Sequence, residues 1–334
     1  MKSIVFKSAQ EVCVEEKVVP ELAAGEVLIK VAYAGVCGSD MIIYQGVHPR
    51  AKAPLIMGHE FSGTIENGHP TLPNGTSVTV YPLLSCGHCE PCVNGYAHVC
   101  DTLKLIGIDC DGGMAEYVKV PVDKVQVIPR TLSLKLGAFI EPMAVGVHAV
   151  RRSGYKSGDR TVVFGAGPIG LCVASCLKYF GASKVIIAET NPHRLGVAQE
   201  LGFTTIDAAK ENIREKIKEH THGCNADFAF DCAAHPSVQT CLLDIIKVRG
   251  TAVVVGSYKK PAEVDLLKIE FKELTMTGIR VYERRDFEIA IQILESGFID
   301  IDLLLTESSP EEAPEQFRNI LKGTTNTIKV LFKM

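Results

Sequence analysis

The stretch that decides the fold is Thr161-Val162-Val163-Phe164-Gly165-Ala166-Gly167-Pro168-Ile169-Gly170. Its first four residues form a short β-branched run without polar alternation, the pattern of a parallel strand covered on both faces. The glycines that follow fit G-x-G-x-x-G and open a helical segment over 168–180. A second apolar run at 185–188 ends at Glu189, 19 positions after Gly170. Strand, glycine loop, helix and acidic residue in that order form a dinucleotide-binding fingerprint. A glycine-rich turn with no ligand would need the glycines but not the rest. Gly165 permits the tight turn, Gly167 lets the backbone approach a pyrophosphate, and Gly170 lets helix and strand pack closely. The helix N-terminus then offers free N–H groups to the phosphates. Glu189 would accept hydrogen bonds from the ribose hydroxyls and repel a 2′-phosphate, which favours NAD over NADP. The cofactor-binding set is Gly165, Gly167, Pro168, Ile169, Gly170, Glu189 and Arg194.

Further strands are expected at 226–231 and 251–256, with a helix over 237–247 between them. Strand–helix alternation at this pitch predicts an α/β, doubly wound parallel sheet. Upstream, residues 25–31, 78–81 and 117–120 read as short strands punctuated by glycine and proline, an irregular β domain. Near the C-terminus a helix is expected over 287–296 and a lone strand over 327–332, most easily placed back on the first domain.

Composition narrows the class. The chain has 334 residues, enough for about two domains, and is 46% hydrophobic and 22% charged, so it is neither disordered nor fibrous. Lys+Arg 35 against Asp+Glu 39 leaves a net charge of −4, which gives no pull toward nucleic acid or anionic membrane. No apolar run approaches the ~18 residues of a membrane span, and no signal segment is visible. A cytoplasmic protein is expected, in a compartment where thiols stay reduced. The 12 cysteines therefore need another explanation.

Four of them supply it: Cys86-x2-Cys89-x2-Cys92-x7-Cys100, interleaved with Gly87, Pro91 and Gly95. Four thiolates in a short loop suit a closed tetrahedral zinc site whose metal supplies the folding energy of the lobe. Two disulfides or an iron–sulfur cluster would use the same spacing. Seven other cysteines carry no motif, and Cys172, Cys176, Cys232 and Cys241 read as small core residues.

The remaining chemistry is spread out: Cys37-Gly38-Ser39-Asp40, Gly58-His59-Glu60, and Glu141-Pro142. A thiolate, an imidazole and carboxylates together are what a zinc site with one open position needs. These motifs, with the four cysteines, Gly112-Gly113-Met114-Ala115-Glu116-Tyr117 and the glycine loop, stand in the order of the zinc-dependent medium-chain dehydrogenases, which the chain resembles from end to end. Alcohol dehydrogenases proper carry cysteine where this chain has Glu141. Glu141-Pro142 with His148 resembles the branch of sorbitol, threonine and sugar-acid dehydrogenases, and galactitol-phosphate dehydrogenases look similar too.

That resemblance implies a GroES-like catalytic zinc domain over 1–146 and 280–334 and a Rossmann NAD-binding domain over 147–279. It implies two zinc ions per chain. Cys37, His59, Glu60 and Glu141 would hold the catalytic one, with Glu141 direct or through water, and Cys86, Cys89, Cys92 and Cys100 the structural one. The catalytic set would be Ser39, Glu141, Asp40 and Arg280: Ser39 on the substrate hydroxyl, Asp40 orienting His59, Arg280 near polyol hydroxyls. A surface arginine with no such role is the plain alternative for Arg280. Many relatives carry a histidine where this chain has Ile42, so the proton relay must run elsewhere, through the zinc-bound water, Glu141, the cofactor ribose or Tyr44, with His48 a further candidate. The 65–70 loop is also shorter than usual.

The function expected is oxidation of a secondary hydroxyl of a polyol or sugar acid by NAD. A threonine-type amino-alcohol dehydrogenase is the alternative within enzymes, and a non-enzymatic zinc-binding module the alternative outside them. The expected partner is a small molecule, with no nucleic acid and no membrane, and the resemblance implies a homodimer or homotetramer.

Overall fold

The computed structural model describes residues 1–67 and 69–334. Gly68, within the short 65–70 loop, lies outside the described residues. The chain forms two compact units. One comprises Met1–Glu141, Glu283–Ser296 and Leu304–Met334, the other Pro142–Tyr282 and Gly297–Leu303.

The first unit is built on a seven-stranded sheet. Its strands run in the order Val125–Val127, Ser77–Val80, Glu60–Asn67, Glu26–Gly35, Lys329–Lys333, Leu305–Ser308, with Tyr117–Pro121 also paired to Glu26–Gly35. Val27, Ile29, Phe61, Val78 and Val118 from these strands are buried. The C-terminal strand does return to this unit, antiparallel to Glu26–Gly35, with Leu331 opposite Gly35. On the other side Gly35 faces Glu60. That register brings both neighbouring strands to the end of Glu26–Gly35, where the loop to Cys37 begins.

The second unit holds six parallel strands in the order Thr204–Asp207, Lys184–Glu189, Arg160–Phe164, Ala226–Asp231, Ile246–Val254, Thr275–Gly278. The order reverses between Arg160–Phe164 and Ala226–Asp231, the switch point of a doubly wound sheet. Val162, Ile186, Ala229 and Ala252 from the central strands are fully buried, each apolar face contributing about 1–3 kcal/mol. Two strands lack a sequence signature. Thr204–Asp207 and Thr275–Gly278 are polar or mostly exposed, so no apolar run marks them.

The helix expected over 237–247 needs correction. It spans Pro236–Leu242, and Ile246 already pairs with Ala226. The Lys272 ammonium caps the turn there by donating to the carbonyls of Leu243, Asp244 and Ile246. The helix expected over 287–296 starts earlier, as Arg284–Glu295, because Glu283 and Asp286 form a capping box. Cys172, Cys176 and Cys241 are buried as expected, while Cys232 is half-buried. No helix among the described residues is long and apolar enough to cross a membrane.

Candidate functional site

Cys37 sits at the N-cap of the short helix Gly38–Tyr44, and its N–H donates to Asp40 Oδ2 at 2.8 Å. That bond fixes the start of the helix and aims both side chains inward. Glu60 opens the strand Glu60–Asn67, and His59 directly precedes it. The ligand atoms of Cys37, His59 and Glu60 all lie within 4.8 Å of one another. Ser39 Oγ is 3.4 Å from His59 Nε2, and Asp40 Oδ1 is 3.9 Å from His59 Nδ1. Asp40, His59 and Glu60 are 0%, 3% and 1% exposed, so this polar group is sealed from water. Glu141, in the first turn of the helix Ile140–Ser153, is also buried but stands outside the triplet.

The group is short of positive charge. Burial pushes the Asp40 carboxyl up. Burial also pulls the His59 imidazole down, but the Cys37 sulfur outweighs it and holds the ring well above its ordinary value. The one lysine present, Lys329, is itself buried; burial lowers it, yet the facing Glu60 carboxylate leaves it raised. Asp40 Oδ1 and His59 Nδ1 have no hydrogen-bond partner among the described residues, and Glu60 Oε2 meets the Lys329 ammonium only as an ion pair. A soft sulfur, an imidazole and a carboxylate with unmet charge fit a zinc ion.

Cys86, Cys89, Cys92 and Cys100 form the second group, also within 4.8 Å. Cys86 Sγ is 4.0 Å from Cys92 Sγ, and Cys89 Sγ is 3.7 Å from Cys100 Sγ. These separations are far beyond a disulfide bond, and all four cysteines are free. A tetrahedron of sulfurs about 2.3 Å from one zinc has edges of about 3.8 Å, so the spacing suits a single ion. Main-chain N–H groups point at the sulfurs, from Cys86 to Cys100 at 3.3 Å and from Cys89 to Cys86 at 3.4 Å. The N–H groups of His88 and Cys89 hold the Cys86 thiol down to about 6, while desolvation and the neighbouring Cys89 push Cys92 up to about 12. The lobe has little else to hold it: Val93 and Tyr96 are 68% and 56% exposed.

In the second unit Gly165 follows Arg160–Phe164 with φ +93°, and Gly167 caps the helix Pro168–Tyr179. A Cβ on Gly170 would run into the carbonyl oxygen of Gly165. Pro168 and Ile169 form the first turn, where the helix N–H groups are free. Glu189 Oε2 accepts the N–H of Ala166 at 2.8 Å, and Oε1 accepts those of Thr190 and Asn191 at 2.6 and 2.9 Å. The carboxylate thus pins the glycine loop itself, a duty its position in sequence does not reveal. Arg194 Nη1 lies 3.7 Å from where a Cβ on Gly167 would sit, so its cation overlooks the loop.

Known proteins share this arrangement. Residues 23–130 match the alcohol dehydrogenase GroES-like domain, and residues 168–296 match the zinc-binding dehydrogenase family. The 2-dehydro-3-deoxy-L-galactonate 5-dehydrogenase of Pseudoalteromonas atlantica is 37% identical over 292 residues, 86% of this chain and 85% of that protein. The chain belongs to the zinc-dependent medium-chain dehydrogenases, in their polyol-dehydrogenase-like branch. An L-threonine 3-dehydrogenase of Bacillus velezensis is another relative of this dehydrogenase, 35% identical with 96% of each chain covered. An alcohol dehydrogenase of Escherichia coli CFT073, solved with NADH, superimposes with TM-score 0.92 at 31% identity, covering 100% of this chain and 99% of that one. Further matches are named for L-galactonate, L-idonate, galactitol 1-phosphate and D-arabitol phosphate. As a zinc-binding dehydrogenase the chain is an oxidoreductase using zinc and a nicotinamide cofactor.

Other residues of this dehydrogenase fall as follows. Arg280 is exposed, just past the strand Thr275–Gly278 of the second unit. Tyr44 is buried, its ring 5.3 Å from that of Phe317. His48 Nδ1 accepts the N–H groups of Arg50 and Ala51 at 3.3 and 3.1 Å and so serves a turn. The residue that sequence reasoning missed is Lys329. Its signal was a lysine inside the apolar run Ile328-Lys329-Val330-Leu331-Phe332, which on a buried strand demands a carboxylate partner.

Proposed function

We propose that this dehydrogenase oxidises a secondary hydroxyl of a sugar acid or polyol, passing the hydride to NAD and leaving a ketone. The observation that carries the reading is the Cys37–His59–Glu60 triplet, buried at His59 and Glu60 and half-buried at Cys37, with the Ser39 hydroxyl set against it. In this reading Cys37, His59 and Glu60, with Glu141 directly or through water, hold a catalytic zinc, and the four-cysteine lobe holds a second. When bound, the catalytic zinc supplies Lewis-acid polarisation of the substrate hydroxyl, lowering its pKa toward neutrality.

The chain's own residues do the rest. Ser39 relays the hydroxyl proton, accepting it as its own hydroxyl proton passes onward. Asp40 keeps the His59 ring oriented, the usual work of a carboxylate behind a ligating histidine. Glu141, a buried carboxylate in the first turn of the helix Ile140–Ser153, carries the proton onward in this reading. Arg280 donates to substrate hydroxyls or a carboxylate, for which its planar fork is suited. The glycine loop and Pro168–Ile169 receive the pyrophosphate, Arg194 adds charge there, and Glu189 reads the ribose and disfavours NADP. The zinc-holding half is the unit of Met1–Glu141, Glu283–Ser296 and Leu304–Met334, and the nucleotide-holding half is that of Pro142–Tyr282 and Gly297–Leu303, so the bounds expected at 146 and 280 move to 141 and 283.

We place the enzyme in the cytoplasm as a homodimer or homotetramer, with no nucleic-acid partner. The exposed Leu266, Leu267 and Phe271, close in sequence to the edge strand Thr275–Gly278, support self-association. The threonine-dehydrogenase relative supplies the second reading, oxidation of an amino alcohol.

NADH formation decides between them. The panel is L-galactonate, L-idonate, 2-dehydro-3-deoxy-L-galactonate, galactitol 1-phosphate, D-arabitol phosphate and L-threonine, each with NAD and with NADP. A sugar acid or polyol should exceed threonine in kcat/KM by at least about tenfold. Threonine as the fastest substrate would replace the reading. No turnover with two zinc ions bound would favour a binding protein.

A further inference from the structure

The strand Ala226–Asp231 ends in a fully buried carboxylate that the mechanism above leaves unused. Asp231 Oδ1 accepts the N–H groups of Ala233 and Ala234 at 3.1 and 2.9 Å. Its main-chain carbonyl accepts those of Val255 and Gly256 at 3.0 and 2.8 Å. Oδ2 accepts the Tyr258 hydroxyl, which in turn accepts from Gln239 Nε2. One residue thus ties together the loops leaving two neighbouring parallel strands, Ala226–Asp231 and Ile246–Val254.

The joint is tight. Ala234 sits in the left-handed region at φ +49°, uncommon for a residue with a Cβ, and the Asp231 carboxylate holds its N–H. A Cβ on Gly256 would lie 2.9 Å from the Cβ of Ala234. Strain of this kind persists where the surroundings over-determine it and concentrates at ligand sites. A buried carboxylate adds little stability over an apolar residue of the same shape, so its use here points to geometry.

Location gives the geometry a purpose. A doubly wound sheet consists of two mononucleotide-binding halves and binds its ligand at the carboxyl ends of the strands. The glycine loop and Glu189 belong to the first half, and Asp231, Gln239 and Tyr258 to the second. We infer that Tyr258, held by Asp231 and Gln239, is a positioning residue for the nicotinamide half of the cofactor. It keeps the 232–235 and 255–258 loops in the shape that receives the nicotinamide riboside. The inference rests on the dinucleotide reading of this unit.

The test compares binding of NADH and of ADP-ribose, which lacks the nicotinamide, to the purified full chain by calorimetry. Tyr258→Phe should weaken NADH roughly tenfold and leave ADP-ribose within about twofold of wild type. Gln239→Leu keeps the Tyr258–Asp231 bond and should shift NADH in the same direction by less; it replaces Tyr258→Phe should that variant not fold. Equal losses for both ligands would mean a general structural role and overturn the inference. No change in either ligand would overturn it too. Wild-type protein that binds neither would remove the dinucleotide reading itself, a different failure.

Discussion

Three buried carboxylates of the second unit have protein partners on both oxygens. Glu189 takes N–H groups from Ala166, Thr190 and Asn191; Asp227 takes Arg160 and pairs with Lys247; Asp231 takes two N–H groups and the Tyr258 hydroxyl. The first unit is different. There Asp40 Oδ1 and His59 Nδ1 are buried without a partner among the described residues, and Cys37, Glu60 and Glu141 share one lysine between them. A nucleotide site made of glycine backbone and helix N–H groups is complete before its ligand arrives. A site made of converging side-chain charges is complete only with a cation, because burial makes unmet charge costly. The four-cysteine lobe takes the second design furthest, since four sulfurs converge on one point there.

That contrast breaks most visibly at Cys37. Cys37→Ser should lower kcat at least about 1000-fold and remove one zinc of two while the chain keeps its fold and loses less stability than the lobe variant does. The matching change in the lobe, Cys92→Ser, should also remove one zinc but act on stability. Loss of several kcal/mol is expected, because the ion's binding energy is the lobe's folding energy. If calorimetry showed the two variants equally destabilised, the division between a chemical and a structural ion would be lost.

Lys329→Met sharpens the comparison within the first unit. It strands the Glu60 carboxylate, which should cost about 3–5 kcal/mol in metal-free protein and distinctly less once zinc is restored. Unfolding with and without chelator reads the difference, and equal costs in both states would argue against an ion at Glu60.

In the second unit the corresponding change concerns pH. Burial works against ionised Asp227, but Arg160 and Lys247 outweigh it and hold its carboxyl far below the usual range. A depressed folded-state pKa gives stability that is complete above the unfolded value, about 3.9, and is lost as pH falls below it. Asp227→Asn should therefore cost about 2 kcal/mol at neutral pH and flatten the acid limb of the stability curve. An unchanged acid limb would show that the cluster does not hold its charge.

What was legible in the sequence follows the same division. The glycine loop and the four cysteines are short-range patterns, carried by residues 161–170 and 86–100. Cys37, His59 and Glu60 were legible as ligands only through family likeness, since nothing local announces that the Glu26–Gly35 strand brings them together. Lys329 stood out as a lysine in an apolar run, but its partner Glu60 and the Asp231–Tyr258 joint were not legible, because each pairs residues far apart in sequence. The helix end at Leu242 was misread for a related reason: Lys272, thirty positions on, caps the turn that stops it. Edge strands such as Thr275–Gly278 carry no apolar run because one side faces solvent.

The most direct test of the contrast between the two units is the metal content of the purified chain. Wild type should contain two zinc ions per chain, and Cys37→Ser and Cys92→Ser one each. A single zinc in wild type, or iron in place of zinc, would contradict the account.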